Sequence, residues 1–282
     1  MCKLLLNASY PASGTTSLFY TLWSNKYGHG GGVKESQYLL HIQSPQIYKD
    51  RGKLHKSKSK YGKGMPRPWV LPNQVFKTNH SFDHRKPDIN KYIDYYLNLW
   101  EDVKDEYQSV LDFSNQEQQL SESFMLSIKD QLLKYFDIKV VMILRDPISR
   151  LWSYSNRRSK CEGGTPQSII KSFYDDPNLS YSEKYKRYVR VWGEERVKVI
   201  INEQFYSGDT QPLSDFLDYR IKPTYNNIID LSYMKNEMYS QWCEIDEETL
   251  KHACKSMHWV YKEFEKTFGY IPDQWIDTQF YK

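Results

Sequence analysis

The sequence predicts an α/β domain with a mainly parallel central sheet flanked by helices on both faces. Short apolar stretches alternate with segments whose apolar residues recur at helical spacing, from one end of the chain to the other. The strongest apolar stretch, Val140 to Leu144, is continuous rather than alternating, as a strand covered on both faces must be. The 282 residues are 39% hydrophobic and 26% charged, which excludes disordered and fibrous chains and allows a sizeable core. The expected unit is a single domain over residues 1–282 with about four to six strands. One basic loop insertion is expected at about 45–80.

The elements follow in order. Lys3 to Asn7 is a short apolar run that reads as a buried strand. Thr15 to Tyr27 places Leu18, Phe19, Leu22 and Trp23 at helical spacing. Ile89 to Asp102 repeats Tyr92, Ile93, Tyr96, Leu97 and Trp100 in the same way. Ser109 to Phe113 reads as a strand and Ser127 to Phe136 as a helix. Lys139 to Leu144 is the central strand, rich in β-branched residues. Asp146-Pro147 then supplies a capping side chain and a proline at the first helical position, for a helix reaching about Ser159. Tyr181 to Trp192 is helical, Val197 to Asn202 a strand, and Leu213 to Tyr219 helical. Glu247 to Phe268 lines one face with Leu250, Ala253, Met257, Val260, Tyr261 and Phe264 before Gly269 stops it.

Charge is unevenly spread. The net charge is +4, yet Lys49 to Arg67 holds eight basic residues and one acidic, leaving the remainder at −3. This is a near-neutral protein with one basic insert, not a general nucleic-acid binder. The insert reads either as a solvated loop or as a device that steers an anionic partner. Cys2, Cys161, Cys243 and Cys254 show no metal-ligand spacing and read as reduced thiols. No apolar run is long enough to span a bilayer, and Leu4-Leu5-Leu6 is too short for a signal-peptide core. The expected location is cytoplasmic, with no membrane span.

Two strings carry chemistry. The first strand runs into Pro11-Ala12-Ser13-Gly14-Thr15-Thr16-Ser17, after which a helix begins. A glycine turn, hydroxyl side chains and a helix N-terminus together make a concavity for phosphate. The same string also reads as an ordinary Ser/Thr-rich helix start. It is not a Walker A loop, because no lysine follows a loop glycine. The second string is Arg145-Asp146-Pro147-Ile148-Ser149-Arg150-Leu151-Trp152-Ser153. It sets an arginine at the carboxyl end of the central strand, where open α/β sheets bind ligands and where a guanidinium suits a phosphate.

Together the two strings resemble those of the sulfotransferases that use 3′-phosphoadenosine 5′-phosphosulfate (PAPS). The resemblance implies a P-loop-like three-layer fold and transfer of a sulfuryl group to an acceptor hydroxyl, including one on a carbohydrate. It leaves 3′-phosphoadenosine 5′-phosphate (PAP) as product. It implies that Ala12, Ser13, Gly14, Thr15, Thr16 and Ser17 hold the 5′-phosphosulfate. Arg145 and Ser153, eight residues apart, would hold the 3′-phosphate. Lys34-Glu35-Ser36-Gln37-Tyr38-Leu39 resembles the segment of the heparan-sulfate-type and bacterial members whose glutamate is the base, which makes Glu35 the expected base. The match covers most of the chain in order, except Leu40 to about Pro87. The implied acceptor is a small molecule or glycan with a hydroxyl, including anionic ones. No metal is implied, and no specific nucleic acid.

The sequence departs from that pattern at Ala12, where the family has a lysine that neutralises the leaving group. Lys34 and Lys77 are candidate replacements. Phe76-Lys77-Thr78-Asn79-His80 faintly resembles a stretch of the cytosolic members, which makes His80 a second candidate base. The alternative function is a PAP- or PAPS-binding protein with impaired catalysis. A P-loop nucleotide kinase is disfavoured, since no loop lysine is present and no Walker B carboxylate stands out after a strand.

Overall fold

The computed structural model describes residues 1–31, 37–46, 87–114, 117–223 and 244–275. Five strands among them form one all-parallel sheet: β1 (Cys2–Asn7), β2 (Gly28–His29), β3 (Ser109–Asp112), β4 (Phe136–Leu144) and β5 (Val197–Ile201), in the order β2-β3-β1-β4-β5. The connection leaving β1 runs to one side, toward β2, and the one leaving β4 runs to the other, toward β5, so a crevice opens between the carboxyl ends of β1 and β4. β1 pairs with β4 from Cys2–Phe136 to Asn7–Val141, and β4 with β5 from Val140–Val197 to Leu144–Ile201.

Alternate residues of the strands face two separate cores. Leu4, Leu6, Val140, Met142 and Leu144 join one core and Leu5, Val141, Ile143 and Ile200 the other, following the two-residue side-chain period of a strand. The first core is closed by α2 (Tyr38–Gln43), α3 (Ile89–Val103), α4 (Glu122–Leu133), α5 (Pro147–Glu162), α6 (Pro166–Lys171) and α7 (Tyr181–Trp192). The second is closed by α1 (Thr15–Ser24), α8 (Asn202–Tyr206) and α9 (Gln211–Leu217). The long helix α10 (Glu247–Phe268) packs Met257, Val260, Tyr261 and Phe264 into the first core. The expected three layers are present.

The caps read from the sequence are in place. Asp146 accepts from the Ser149 N–H at 2.7 Å at the start of α5, and Gly269 ends α10 in the left-handed region. Boundaries differ elsewhere. The helix expected over Ser127 to Phe136 runs from Glu122 to Leu133, and Phe136 already opens β4. Asn202 starts a helix rather than ending β5. β2, α2 and α6 are short elements that the periodicity did not announce. Cys2 and Cys254 are buried and form no disulfide among the described residues; Cys243 lies outside the described residues. No helix among the described residues is long and apolar enough to cross a membrane.

Candidate active site

The two strings meet at the carboxyl edge of the sheet. The chain leaves β1 through a tightly tied turn: the Ile143 N–H donates to Ser9 Oγ at 2.8 Å, and the Ala8 N–H to the Val141 carbonyl at 2.9 Å. Tyr10 is buried with its hydroxyl near the carbonyls of Asn178 and Ser180. The loop then turns through two left-handed residues, Ala12 at φ 66° and Gly14 at φ 91°. Gly14 has a second reason to lack a side chain. A Cβ there would stand 2.2 Å from Asn202 Oδ1 and 3.1 Å from Tyr206 Cε2, so α8 closes down on the loop backbone.

α1 begins at Thr15 without any side-chain cap. Its first-turn N–H groups have no carbonyl within the helix to bond to, and the macrodipole adds positive character. Ser13 is fully buried, and its Oγ finds no hydrogen-bond partner among the described residues. Ser17 Oγ lies 2.6 Å from the Tyr206 hydroxyl. A hydroxyl without a partner among the described residues and an uncapped helix start make this turn a place where an anion could be held.

Arg145 reaches the loop from the end of β4, its Nη1 donating to the Ala12 carbonyl at 3.4 Å. Ser153 is half-buried on α5, two turns past Arg145. The base of this strand-to-helix junction is braced. The Asp146 N–H donates to Glu203 Oε1 at 3.0 Å, the Trp275 indole N–H to Glu203 Oε2 at 3.1 Å, and the Tyr261 hydroxyl to Asp146 Oδ2 at 2.8 Å. Burial pushes the Glu203 carboxyl above its ordinary range, while the two N–H donors pull it back. Tyr181 donates to the Arg145 carbonyl at 2.7 Å and accepts from Arg150 Nε at 2.9 Å; burial holds its phenol up at about 12, so it keeps its proton.

Of the sequence-predicted residues, the structure therefore brings together Ala12 to Ser17 and Arg145, with Ser153 on the helix that follows. Glu35, Lys34, Lys77, His80 and the basic insert lie outside the described residues. Gln37, two residues after Glu35, donates its N–H to Ser114 Oγ at 2.8 Å, just past the carboxyl end of β3. One carboxylate does stand at a strand end: Asp112 closes β3. Its oxygens accept from the Tyr92 and Ser114 hydroxyls at 2.8 and 2.7 Å, which commits it to holding that edge together.

Sequence reasoning missed Asn202 and Tyr206, which roof the loop, and the bracing role of Glu203. It also missed a cleft of about 610 Å³ on the near side of the loop, bounded by Tyr10, Pro11, α5 and α7. The only signals were a basic stripe at Arg150 and Arg157 and another at Lys184 and Arg187, separated by more than twenty residues.

The fold is that of the sulfotransferases. The structure is similar to a sulfotransferase from Alicyclobacillus acidocaldarius, with a TM-score of 0.56 and 17% identity over 98% of each chain. Two further solved structures match at lower TM-scores. The sulfotransferase domain of the Synechococcus PCC 7002 olefin synthase gives 0.45, with 14% identity over 96% of each chain. A sulfotransferase from Mycobacterium avium gives 0.46, with 12% identity over 94% of this chain and 76% of that one. No protein-family model and no curated protein matches the sequence.

Proposed function

We propose that this protein is a PAPS-dependent sulfotransferase acting on an acceptor hydroxyl. The observation that supports this reading is the meeting of Arg145 with the Ala12 carbonyl, which brings two strings 133 positions apart to one edge of the sheet. The residues fit the donor. The left-handed turn at Gly14 leads into an uncapped helix start whose backbone N–H groups suit a phosphate, and the buried Ser13 hydroxyl has hydrogen-bonding capacity to give.

In this reading Ala12 to Ser17 hold the 5′-phosphosulfate through backbone N–H groups and hydroxyls. The Arg145 guanidinium and the Ser153 hydroxyl hold the 3′-phosphate. The donor supplies an activated sulfuryl group and leaves as PAP. Glu35 takes the proton of the acceptor hydroxyl, an assignment that rests on the sequence resemblance, with Lys34 beside it and His80 as the competing base. The donors at the loop act where negative charge develops, the position at which preorganised dipoles contribute most.

Ala12 favours a second reading, a nucleotide-binding protein with impaired catalysis. Its methyl group contributes no charge where the family has a lysine. The test is transfer of labelled sulfate from PAPS to a panel of hydroxyl compounds. Transfer that Glu35→Gln abolishes supports the enzyme. PAP binding without transfer to any acceptor supports the impaired protein.

A further inference from the structure

The cleft beside the phosphate loop has a basic floor. Arg150, Arg157, Lys184 and Arg187 line it, against a single described acid, Asp176. Its Oδ1 accepts from the Asn178 N–H and side-chain amide at 2.9 and 2.8 Å, and its one charge offsets only part of the four. Arg150 is only 4% exposed. Its Nε is used by Tyr181, and its guanidinium lies over the Tyr10 ring at 4.5 Å, but Nη2 is buried with no hydrogen-bond partner among the described residues. Arg187 donates Nη2 to the Gln118 carbonyl at 2.8 Å and leaves Nε unpaired. Lys184 is buried over the same Tyr10 ring, with its Nζ donating to Gln118 Oε1.

None of Arg150, Lys184 and Arg187 forms an ion pair among the described residues. Burying cations with too little counter-charge is costly unless a ligand supplies the rest. Lys184 shows the strain: burial, reinforced by Arg187 and Arg150 and opposed by Asp176, brings its ammonium down to about 7.

We propose that this cleft is an oxyanion subsite for the acceptor, binding a carboxylate or sulfate group carried by the molecule to be modified. The inference rests on the sulfotransferase reading and narrows its acceptor to an anionic one. The subsite is distinct from the donor's phosphate positions. It is lined by Tyr10 and Pro11, ahead of the loop, and by the Arg150, Tyr154 and Arg157 stripe of α5. Ser153 sits about 100° around that helix from Tyr154. A donor on one flank and an acceptor on the other would both border the loop where the sulfuryl group is held. The cleft is the size of ordinary small-molecule sites.

The test uses the full chain, with and without PAP, and three probes: tetragalacturonate, a sulfated chondroitin tetrasaccharide and neutral maltotetraose. Binding is read by calorimetry for the wild type, Arg157→Gln and Lys184→Met, with thermal unfolding to confirm that each variant folds. The expected result is that at least one acidic probe binds at least tenfold tighter than maltotetraose. Each substitution should weaken that acid by roughly ten- to hundredfold and leave PAP affinity unchanged. Whichever acid binds identifies the oxyanion. Equal binding of acidic and neutral probes overturns the proposal, as does failure of both acids to bind or full acid affinity in both variants. Loss of PAP affinity in the variants also overturns it, by assigning the cleft to the donor. A wild type that binds the acids but not PAP would sustain the subsite and count against the donor reading instead.

Discussion

Replacing Gly14 by alanine should damage the loop in two separable ways. The residue sits at φ 91°, where an L-residue costs roughly 1–2 kcal/mol. The new methyl group would also stand 2.2 Å from Asn202 Oδ1, so the buried Asn202 side chain must move, adding about 1–2 kcal/mol of overpacking strain. A loss of about 2–4 kcal/mol lowers the melting temperature by roughly 4–16 °C in a chain of this size. Thermal and urea unfolding measure it. Ala12→Gly is the matched control in the same turn. Ala12 already holds φ 66°, so glycine relieves left-handed strain while adding freedom to the unfolded chain. The two effects nearly cancel, to within about 1 kcal/mol. Gly14→Ala should also abolish PAP binding, since the loop backbone that meets the phosphate must shift. A Gly14→Ala protein with unchanged melting temperature and unchanged PAP affinity would refute the loop geometry and the role assigned to it.

Three further outcomes are expected. Ala12→Lys should raise sulfuryl-transfer turnover with little change in PAP affinity; a neutral or harmful effect on turnover would show that another cation already serves the leaving group. Glu35→Gln should reduce turnover about 10²–10⁴-fold with PAP affinity retained and His80→Ala should do less; the opposite ranking in initial rates moves the base to His80. Lys184 holds its proton less tightly in the fold, at about 7, than in the unfolded chain, where it titrates at its ordinary 10.5. Between those values the unfolded state carries more protons, so this group makes stability rise with pH through that window. Melting curves from pH 7 to 10 should therefore rise more steeply, or fall less, for the wild type than for Lys184→Met; parallel curves would contradict the assignment.

Much of the fold was legible because its signals are local and contiguous. β1, the Lys139 to Leu144 part of β4, and α10 each announce themselves by a largely unbroken apolar run or one long periodic face. The start of β4 was hidden for a physical reason. Asp137 makes Phe136 to Ile138 look polar, yet it sits at a half-buried position, as does Lys139. Lys139 sets its ammonium over the Phe216 ring at 5.0 Å and donates to the Phe216 carbonyl. No glycine or proline marks the turn before it, so the helical spacing of Leu132 and Phe136 ran on through the boundary. β2 is two residues long and carries no period at all.

The site divides in the same way. The loop and Arg145 were legible because each is one continuous string at a strand end. The Asn202 and Tyr206 roof depends on how α8 packs on Gly14, which no spacing encodes. The basic cleft is assembled from α5, α7 and the turn before the loop. Its charges are diluted along the sequence and become a cluster only when Tyr10 draws Arg150 and Lys184 onto one ring.

The central claim is that the carboxyl edge of β1 and β4 recognises a nucleotide bearing a 3′-phosphate. Thermal stabilisation by PAP, compared with ADP and ATP, tests it most directly. A ligand present at about 100 times its dissociation constant adds roughly 2.7 kcal/mol, an amount easily seen in a melting curve. PAP is expected to stabilise the wild type well beyond ADP or ATP at equal concentration, and Arg145→Ala is expected to erase that preference. Equal stabilisation by PAP and ADP in the wild type, or a PAP preference that survives Arg145→Ala, would contradict the account.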